Sequence, residues 1–505
     1  MAANRYYLGI DQGTTGTTVL LLNENWEQLA RGYSEYELEY PHPGWVEKDP
    51  LIVWQSVLAA VQQVITETGC KLSEFRCLGL DNEGETCMVW DKLTGKPIYN
   101  AIVWQDRRTA QRADQLAKEH GDEIREKTGV VIDSYFSATK IEWILNHVEG
   151  ARERAERGEL LAGTLDSWVI WKLTHGQIHI TDYSTASRTM LINIHTGTWD
   201  NDILGWLKIP KDILPTIHNS SEIYGYTDPL DFFGMKIPIS GAVVDQQSAL
   251  FGQACFKPGD VKTTYGTGCF MLMNTGPDIV MSENGLVTTI GWGIDNQLTF
   301  ALDGGVYVAG AAIKWLQEKL GFFETAKETA KIAEEAGGTG GVMFVPAFAG
   351  LAAPHWDQYA RGTILGLTGG TTKEQLVCAT LESIAYQVRD NLEVMNQDSG
   401  IEIKVMRADG GMVANSWLMQ FQSDIMGIPI DVPVITETTA LGAAYLAALG
   451  VGDFSSLDDI AEHWKLGKRY EPNMSESKRN NLLFHWNRAV EKSKNWVISD
   501  DPFFN

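Results

Sequence analysis

The chain has 505 residues, 44% of them hydrophobic and 21% charged, which is typical of a globular protein with two domains or more. Its 41 basic and 65 acidic side chains give a net charge of −24, which argues against nucleic acid or an anionic membrane as a partner. The six cysteines form no C-x-x-C pair, which favours free thiols in a reducing compartment. A strand is expected as early as residues 6–10, and no apolar run approaches membrane-spanning length. We therefore expect a cytoplasmic protein without a membrane-inserted segment.

The first motif is a hairpin whose turn is filled by glycine and threonine. Asp11 follows a buried strand, Thr14 and Thr15 lie in the turn, and an apolar run at 19–22 returns. The backbone N–H groups and hydroxyls of such a turn can bind an anion, and the carboxylate can hold a hydrated divalent cation. Phosphate and metal together are what phosphoryl transfer requires. Taken alone, an ordinary β-hairpin is an equally good interpretation.

Helical periodicity and a second strand–turn–strand unit follow. Apolar spacing predicts a helix over 49–68, with Pro50 in its first turn and Gly69 at its end. Residues 76–90 read as two strands joined by a turn that contains Glu83, Gly84 and Glu85. A helical tract is expected from 110 to about 158, interrupted at 129–135.

Asp245 stands at the end of a buried strand over 239–244. Open α/β sheets bind ligands at the carboxyl ends of their strands. A carboxylate there can accept the proton of a substrate hydroxyl as that oxygen attacks phosphorus. An N-cap for the helix that follows is the competing interpretation, because Asp also serves that role well.

A second Gly/Thr hairpin opens the other half of the chain. Its turn, residues 266–268, contains Thr267 and lies between apolar strands at 261–265 and 269–273. We place the domain boundary just before it, which gives domains over 1–254 and 255–505. No low-complexity linker marks the boundary, so the two domains are expected to share an extensive interface with a cleft.

Glycines mark the start of two expected helices in the second half. Gly310 lies in the first turns of a helix over 308–320, and Asp409 ends a strand that runs through Gly411 into a helix from Val413. Glycines at a helix N-terminus let a flat or anionic ligand approach the backbone, although turn geometry alone also explains them. Asn415 could bond a nucleotide or serve as a polar surface residue. An Ala/Gly-rich helix over 439–449 is expected to pack closely against a neighbour.

Several motifs are absent from the sequence. There is no G-x-x-x-x-G-K-[ST] segment, no H-E-x-x-H and no G-x-S-x-G. These absences argue against a P-loop enzyme, a zinc peptidase and a serine hydrolase.

The chain resembles the FGGY carbohydrate kinases, and within them the glycerol kinases, over almost its whole length. The segments that carry the resemblance include Asp11–Thr15, Gly44–Pro50, Ala101–Thr109, Ala186–Thr189, Asp245–Gln247, Thr264–Asn274 and Asp409–Gly411. The resemblance implies an α/β, actin-like two-domain ATPase fold. In that fold two RNase H-like domains flank a cleft, with ATP on the second domain and a polyol deep in the cleft. It also implies a homo-oligomer, a dimer or tetramer.

The resemblance further assigns roles to individual residues. Asp245 would be the catalytic base, and Asp11 would bind Mg²⁺. The residues expected to hold the nucleotide are Thr14, Thr15, Thr267, Gly310, Gly411 and Asn415. The residues expected to line the polyol pocket are Gly84, Glu85, Trp104, Tyr135, Asp245 and Phe270.

Two positions depart from the family pattern. Gly84 stands where glycerol kinases carry an arginine that binds the substrate hydroxyls, and Thr18 replaces a second family arginine within the first hairpin. Loss of the arginine at 84 is expected to open volume beside the substrate. The resulting hypothesis is an ATP-dependent kinase acting on a primary hydroxyl of glycerol or of a four- or five-carbon alditol. The alternative is a catalytically silent sensor or scaffold with the kinase fold.

Overall fold

The computed structural model describes residues 5–348, 350–357 and 359–497. The outer ends of the two expected domains, 1–4 and 498–505, lie outside the described residues. Within the described ranges, the helices are all too short or too polar to cross a membrane.

The first half of the chain contains fourteen strands and eight α-helices in the described residues. Its strands are β1 (Tyr6–Gln12), β2 (Gly16–Leu22), β3 (Gln28–Glu35), β4 (Glu47–Lys48), β5 (Phe75–Asn82), β6 (Cys87–Asp91), β7 (Ala101–Ile102), β8 (Leu160–Thr164), β9 (Ile180–Asp182), β10 (Ile192–Asn193), β11 (Thr198–Trp199), β12 (Thr216–His218), β13 (Ser221–Tyr226) and β14 (Pro238–Val244). Its helices are α1 (Pro50–Thr68), α2 (Ala110–Thr128), α3 (Ser137–His147), α4 (Ala151–Glu156), α5 (Leu165–Leu173), α6 (Tyr183–Ser187), α7 (Asn201–Leu207) and α8 (Asp245–Gly252).

The second half begins with another antiparallel hairpin. Its strands are β15 (Val261–Tyr265), β16 (Cys269–Gly276), β17 (Val287–Ile294), β18 (Gln297–Val306), β19 (Met343–Val345), β20 (Thr363–Leu365), β21 (Met406–Asp409), β22 (Ile430–Pro433) and β23 (Leu466–Tyr470). Its helices are α9 (Gly310–Glu318), α10 (Thr329–Ala336), α11 (Lys373–Ser399), α12 (Ser416–Met426), α13 (Thr438–Gly450), α14 (Leu457–Ala461) and α15 (Glu476–Ser493).

Two large sheets repeat one topology. In the first, with strand order β13-β14-β5-β1-β2-β3, strands β1 to β3 are antiparallel, and β5 and β14 run parallel to β1. In the second, with order β17-β18-β16-β15-β21-β22-β23, strands β15, β16 and β18 are antiparallel, and β21 and β22 continue parallel to β15. Each sheet therefore has a Gly/Thr hairpin at its centre, followed by parallel strands whose carboxyl ends lie at the same edge.

The helix expected over 49–68 forms as α1, and both of its end signals act as predicted. The Asp49 side chain accepts a hydrogen bond of 2.8 Å from the Leu51 N–H, and Gly69 ends the helix with φ of 62°. The helix expected from Val413 begins later, at Ser416. A short 3₁₀ turn over Gly411–Ala414 precedes it, because Asn415 takes an extended conformation and caps the helix with its side chain.

Helix α13 from the second half packs on the first sheet, as its small residues predicted. It meets β1, β5 and β14 across the face that carries Gly9 and Gly79. A Cβ atom built on Gly9 would overlap the carbonyl oxygen of Ala440, and one built on Gly79 would overlap that of Ala443. The helix backbone therefore lies directly against the sheet, and only glycine fits at these two positions. The position of the domain boundary at 254/255 stays a prediction.

We expect Gly79→Ala to destabilise the protein, because the added methyl group meets helix backbone that cannot move aside cheaply. Overpacking of this kind costs about 1–3 kcal/mol or more of unfolding free energy. Gly205→Ala is the matched control. Gly205 lies inside α7 with open space around its Cβ position, so this change should stabilise by about 0.4–1 kcal/mol. Denaturant unfolding of both variants measures the two effects, and equal stability of Gly79→Ala and the wild type would contradict the close packing.

Candidate active site

Three carboxylates lie at the carboxyl ends of adjacent parallel strands in the first sheet. Asp11 on β1 is paired in register with Asp81 on β5, and Asp245 directly follows β14. Burial raises the pKa of Asp11 to about 6, and burial together with Asp11 and Asp245 raises that of Asp81 well above its usual value. Asp11 and Asp245 were expected here. Asp81 was missed, although its position after a buried strand is the same signal that singled out Asp11.

Asp245 is the first residue of α8, and its side chain does not cap the helix, whose N-cap is Val244. Its carboxylate accepts hydrogen bonds from the backbone N–H and the side-chain Nε2 of Gln246, at 2.6 Å and 3.1 Å. The Oε1 atom of Gln246 accepts a hydrogen bond of 2.6 Å from the buried ammonium of Lys262. Burial, and then the charge of Glu85, raise the pKa of Asp245 to about 7. The competing interpretation of Asp245 as an N-cap is therefore wrong.

The residues expected to bind a polyol come together around a buried arginine. The Arg188 guanidinium donates to Glu85 at 2.6 Å and lies 3.0 Å from the Asp303 carboxylate. Arg188 and Asp303 line a pocket between the two halves of the chain together with Tyr135 and Phe270. The pocket thus presents both acceptors and a donor between aromatic rings. Arg188 lies in Ala186–Thr189, one of the segments that carry the family resemblance, but the sequence assigned it no role.

Trp104 joins this pocket to the first hairpin. Its ring centroid lies 5.6 Å from that of Tyr135 in an edge-to-face arrangement. Its indole N–H donates a hydrogen bond of 3.0 Å to the Thr14 hydroxyl. A side chain expected to wall the polyol is therefore in direct contact with a turn residue expected to bind phosphate.

Gly84 does not open the volume that was expected from the missing arginine. A Cβ atom at this position would lie 2.8 Å from Cγ2 of Val244 and 3.2 Å from Cγ of Arg188. The space beside Gly84 is thus filled by these two side chains. The expectation of additional room is wrong, because the Arg188 side chain occupies that side of the site and brings its own guanidinium to Glu85.

A buried lysine lies behind the first hairpin. The Lys48 ammonium forms an ion pair with Glu83 and lies 3.4 Å and 3.3 Å from the carbonyl oxygens of Gly13 and Thr14. Burial lowers its pKa, whereas Glu83 opposes that shift. Lys48 therefore supports the turn from behind, on the side opposite to Thr15, which is exposed.

The second hairpin rests on the start of α9. The Gly310 N–H donates to the Gly266 carbonyl at 3.1 Å, and the Ala311 N–H donates to the Thr267 carbonyl at 3.0 Å. A Cβ atom on Gly310 would lie 2.6 Å from the Gly266 oxygen, so this position requires glycine for close packing. The Thr267 residue is exposed at the tip of the turn.

Three residues expected to bind the nucleotide line one open pocket of the second half. Gly310, Gly411 and Asn415 surround it with apolar atoms of Ile313 and Met412. The side chain of Asn415 accepts a hydrogen bond from Leu418 N–H at 2.9 Å and donates to the Thr329 hydroxyl at 3.0 Å. Asn415 therefore shapes the rim of the pocket through its helix cap, while Gly411 leaves the backbone accessible.

Asp409 precedes this pocket but points into the interior. It is 1% exposed and accepts hydrogen bonds from the Gln253 side chain at 2.7 Å and the Thr438 hydroxyl at 2.8 Å. Asp409 therefore links the end of β21 to the segment after α8 and to the start of α13.

Comparison with known proteins agrees with this arrangement. Models of the N-terminal and C-terminal domains of the FGGY family of carbohydrate kinases match residues 6–252 and 261–451. The chain belongs to the FGGY family of carbohydrate kinases. It is therefore an ATP-dependent phosphotransferase, and the kinase activity predicted from the sequence is confirmed.

Individual relatives of this FGGY kinase are similar over nearly the full chain. It is 53% identical to "Glycerol kinase" of Caldanaerobacter subterraneus subsp. tengcongensis, covering 98% of this chain and 99% of the relative. It is 54% identical to "Glycerol kinase" of Geobacillus kaustophilus, covering 96% and 98%. The crystal structure of Plasmodium falciparum glycerol kinase with ADP superimposes with a TM-score of 0.90 at 36% identity, covering 97% of this chain and 98% of that one. These matches confirm the two-domain α/β kinase fold, with which the expected actin-like pairing of domains is consistent.

We expect Arg188→Met to destabilise this FGGY kinase strongly. The change leaves Glu85 and Asp303 as buried carboxylates without their partner, and breaking a buried ion pair in this way costs about 3–5 kcal/mol. Adding Glu85→Gln and Asp303→Asn to Arg188→Met should recover part of the loss. Arg157→Met, which removes an exposed partner of Glu159, is the control and should leave denaturant unfolding unchanged. A triple variant no more stable than Arg188→Met would contradict the charge argument.

Proposed function

We propose that this FGGY kinase transfers the γ-phosphoryl group of ATP to a primary hydroxyl of glycerol. The observation that carries the proposal is Asp245, a carboxylate at the carboxyl end of β14 whose pKa burial and the charge of Glu85 raise to about 7. Relatives named glycerol kinase at 53% and 54% identity support glycerol as the acceptor. A pocket that pairs acceptors with a guanidinium suits a small molecule with a hydroxyl on every carbon.

Asp245 is the proposed general base. It would accept the proton of the attacking hydroxyl, and a pKa close to the working pH suits a group that must gain and lose a proton. Gln246 fixes the carboxylate through two hydrogen bonds and is itself held by Lys262. The base therefore keeps one orientation towards the pocket.

The remaining hydroxyls of the polyol would be bound by the pocket residues. Glu85 would accept hydrogen bonds from them and Arg188 would donate, so the pocket keeps one guanidinium although Gly84 supplies none. Trp104, Tyr135 and Phe270 would wall the carbon chain and exclude water.

The nucleotide would lie across both hairpins. Thr14 and Thr15 in the first turn and Thr267 in the second offer hydroxyl and N–H groups to the phosphates, and the adenosine fits the open pocket beside Gly310, Gly411 and Asn415. Asp11 would hold Mg²⁺, since a carboxylate at a phosphate turn is a ligand this ion accepts. When bound, Mg²⁺ neutralises charge on the transferring phosphoryl group.

The location and assembly of the protein stay predictions. A cytoplasmic homo-oligomer, a dimer or tetramer, is what the family resemblance implies. The silent-sensor alternative is not favoured, because Asp11, Asp245 and both Gly/Thr hairpins are all present.

We expect ADP release from Mg-ATP that depends on glycerol. Across glycerol, erythritol, threitol and xylitol, kcat/KM should be highest for glycerol by about tenfold or more, because the side of the pocket near Gly84 is filled. A reaction without polyol gives the background. Higher kcat/KM for a four- or five-carbon alditol would contradict the glycerol assignment. No ADP release with any polyol would support the silent-sensor alternative.

We expect Asp245→Asn to lower kcat by about 10²–10⁴-fold while leaving glycerol binding largely intact, because the amide keeps its size but cannot accept the proton. Glycerol binding is measured by the rise in melting temperature. Asp166→Asn is the matched control, since Asp166 is a fully buried carboxylate outside the cleft that bonds Thr164 and Thr181. Near wild-type kcat in Asp245→Asn would reject Asp245 as the base.

A further inference from the structure

We propose that Asp81 is a second protein ligand for the divalent cation beside Asp11, so that this chain binds the cation before the nucleotide arrives. The inference rests on the proposed function, in which Asp11 holds that cation. It adds a residue that neither the motifs nor the family resemblance assigned.

Strand geometry brings the two carboxylates together. Asp11 and Asp81 are direct partners in the parallel pairing of β1 with β5, and side chains at paired positions lie on the same face of a sheet. Two residues earlier on the same face, Gly9 and Gly79 lie under α13. The carboxylates therefore emerge side by side at the edge of that helix, where the cleft begins.

Asp81 is a buried carboxyl group without a basic or amide partner in the described part of the chain. Its side chain is 0% exposed, and among residues 5–348, 350–357 and 359–497 its carboxyl oxygens have no hydrogen-bond partner other than the neighbouring carboxyl of Asp11. The neighbouring side chains that act on it electrostatically are the carboxyls of Asp11 and Asp245. An isolated carboxylate is costly to bury, so a buried carboxyl of this kind either takes up a proton or binds a cation.

Basic side chains of the cleft do not supply that partner. Lys48 is paired with Glu83, Lys262 is bonded to Gln246 and Thr264, and Arg188 is paired with Glu85 and Asp303. Each of these cations is buried and already engaged, so none is free to move to Asp81.

A divalent cation has the chemistry to bind both Asp11 and Asp81. Mg²⁺ takes oxygen ligands and is commonly held by one or two carboxylates together with waters and substrate phosphates. Asp11 and Asp81 supply two carboxylates, and the Gly/Thr turn proposed to bind phosphate begins two residues after Asp11. With two negative charges facing it, the ion binds to the free protein as well as to the protein–nucleotide complex.

The first test is cation binding without nucleotide or polyol. Mn²⁺ is titrated into the full-length protein, and the free ion is measured by electron paramagnetic resonance. Asp81→Asn should weaken Mn²⁺ binding by about tenfold or more, and Asp11→Asn should do the same, because each removes a ligand. Asp166→Asn should leave the affinity unchanged. Wild-type affinity in Asp81→Asn, or no Mn²⁺ binding by the wild type, would overturn the proposal.

The second test is thermal stability, which also checks that the variants fold. With a chelator present, Asp81→Asn should melt at or above the wild-type temperature, because it removes repulsion between the carboxylates. Mg²⁺ should raise the melting temperature of the wild type but not that of Asp81→Asn. An equal rise in both would mean that the two carboxyls share a proton and that Asp81 binds no cation. ADP release by the wild type is measured in parallel, so failure of the proposed function is recognised separately from failure of the cation site.

Discussion

The contact on which the rest of the active site depends is the direct packing of the α13 backbone against the first sheet. Glycines at Gly9 and Gly79 remove the side chains that would hold the helix away, and a third glycine, Gly241, continues this surface on β14. The helix comes from the second half of the chain, so the contact also joins the two halves. Because the strands are fixed at this face, the carboxylates two residues further along β1 and β5 reach the cleft at the edge of the helix.

The basic side chains of the cleft are buried, and each therefore needs a partner that compensates its charge. Each buried basic group is matched by an acidic or amide partner, so that Lys48 supports the first turn, Lys262 orients Gln246, and Arg188 organises the pocket. In a region of low dielectric constant, such pairs are stable only when the geometry satisfies both partners. Asp11 and Asp81 are the exceptions among the described acidic groups of this cleft, and the proposed divalent cation would bind both.

The sequence predicted which residues come together in the proposed polyol pocket, but not which charged groups they meet there. Glu85, Trp104, Tyr135 and Phe270 are brought together as their family motifs implied. The absence of the family arginine at Gly84 suggested additional room in the site, because the sequence does not show which other side chain packs beside that position. In the folded chain, Arg188 comes from a distant segment and fills that side, which only the packing of α6 against the first sheet decides.

The sequence by itself determined the two Gly/Thr hairpins, both ends of α1 and the positions of Asp11 and Asp245 at strand ends, because these depend on local periodicity, caps and turn chemistry. The tertiary structure decided which charged side chains lie next to one another. The Asp11–Asp81 pairing depends on strand register, and the Arg188 contacts with Glu85 and Asp303 join residues more than a hundred positions apart. Such contacts leave no local signal, since electrostatic and packing energies depend on distances in space that a single sequence does not contain.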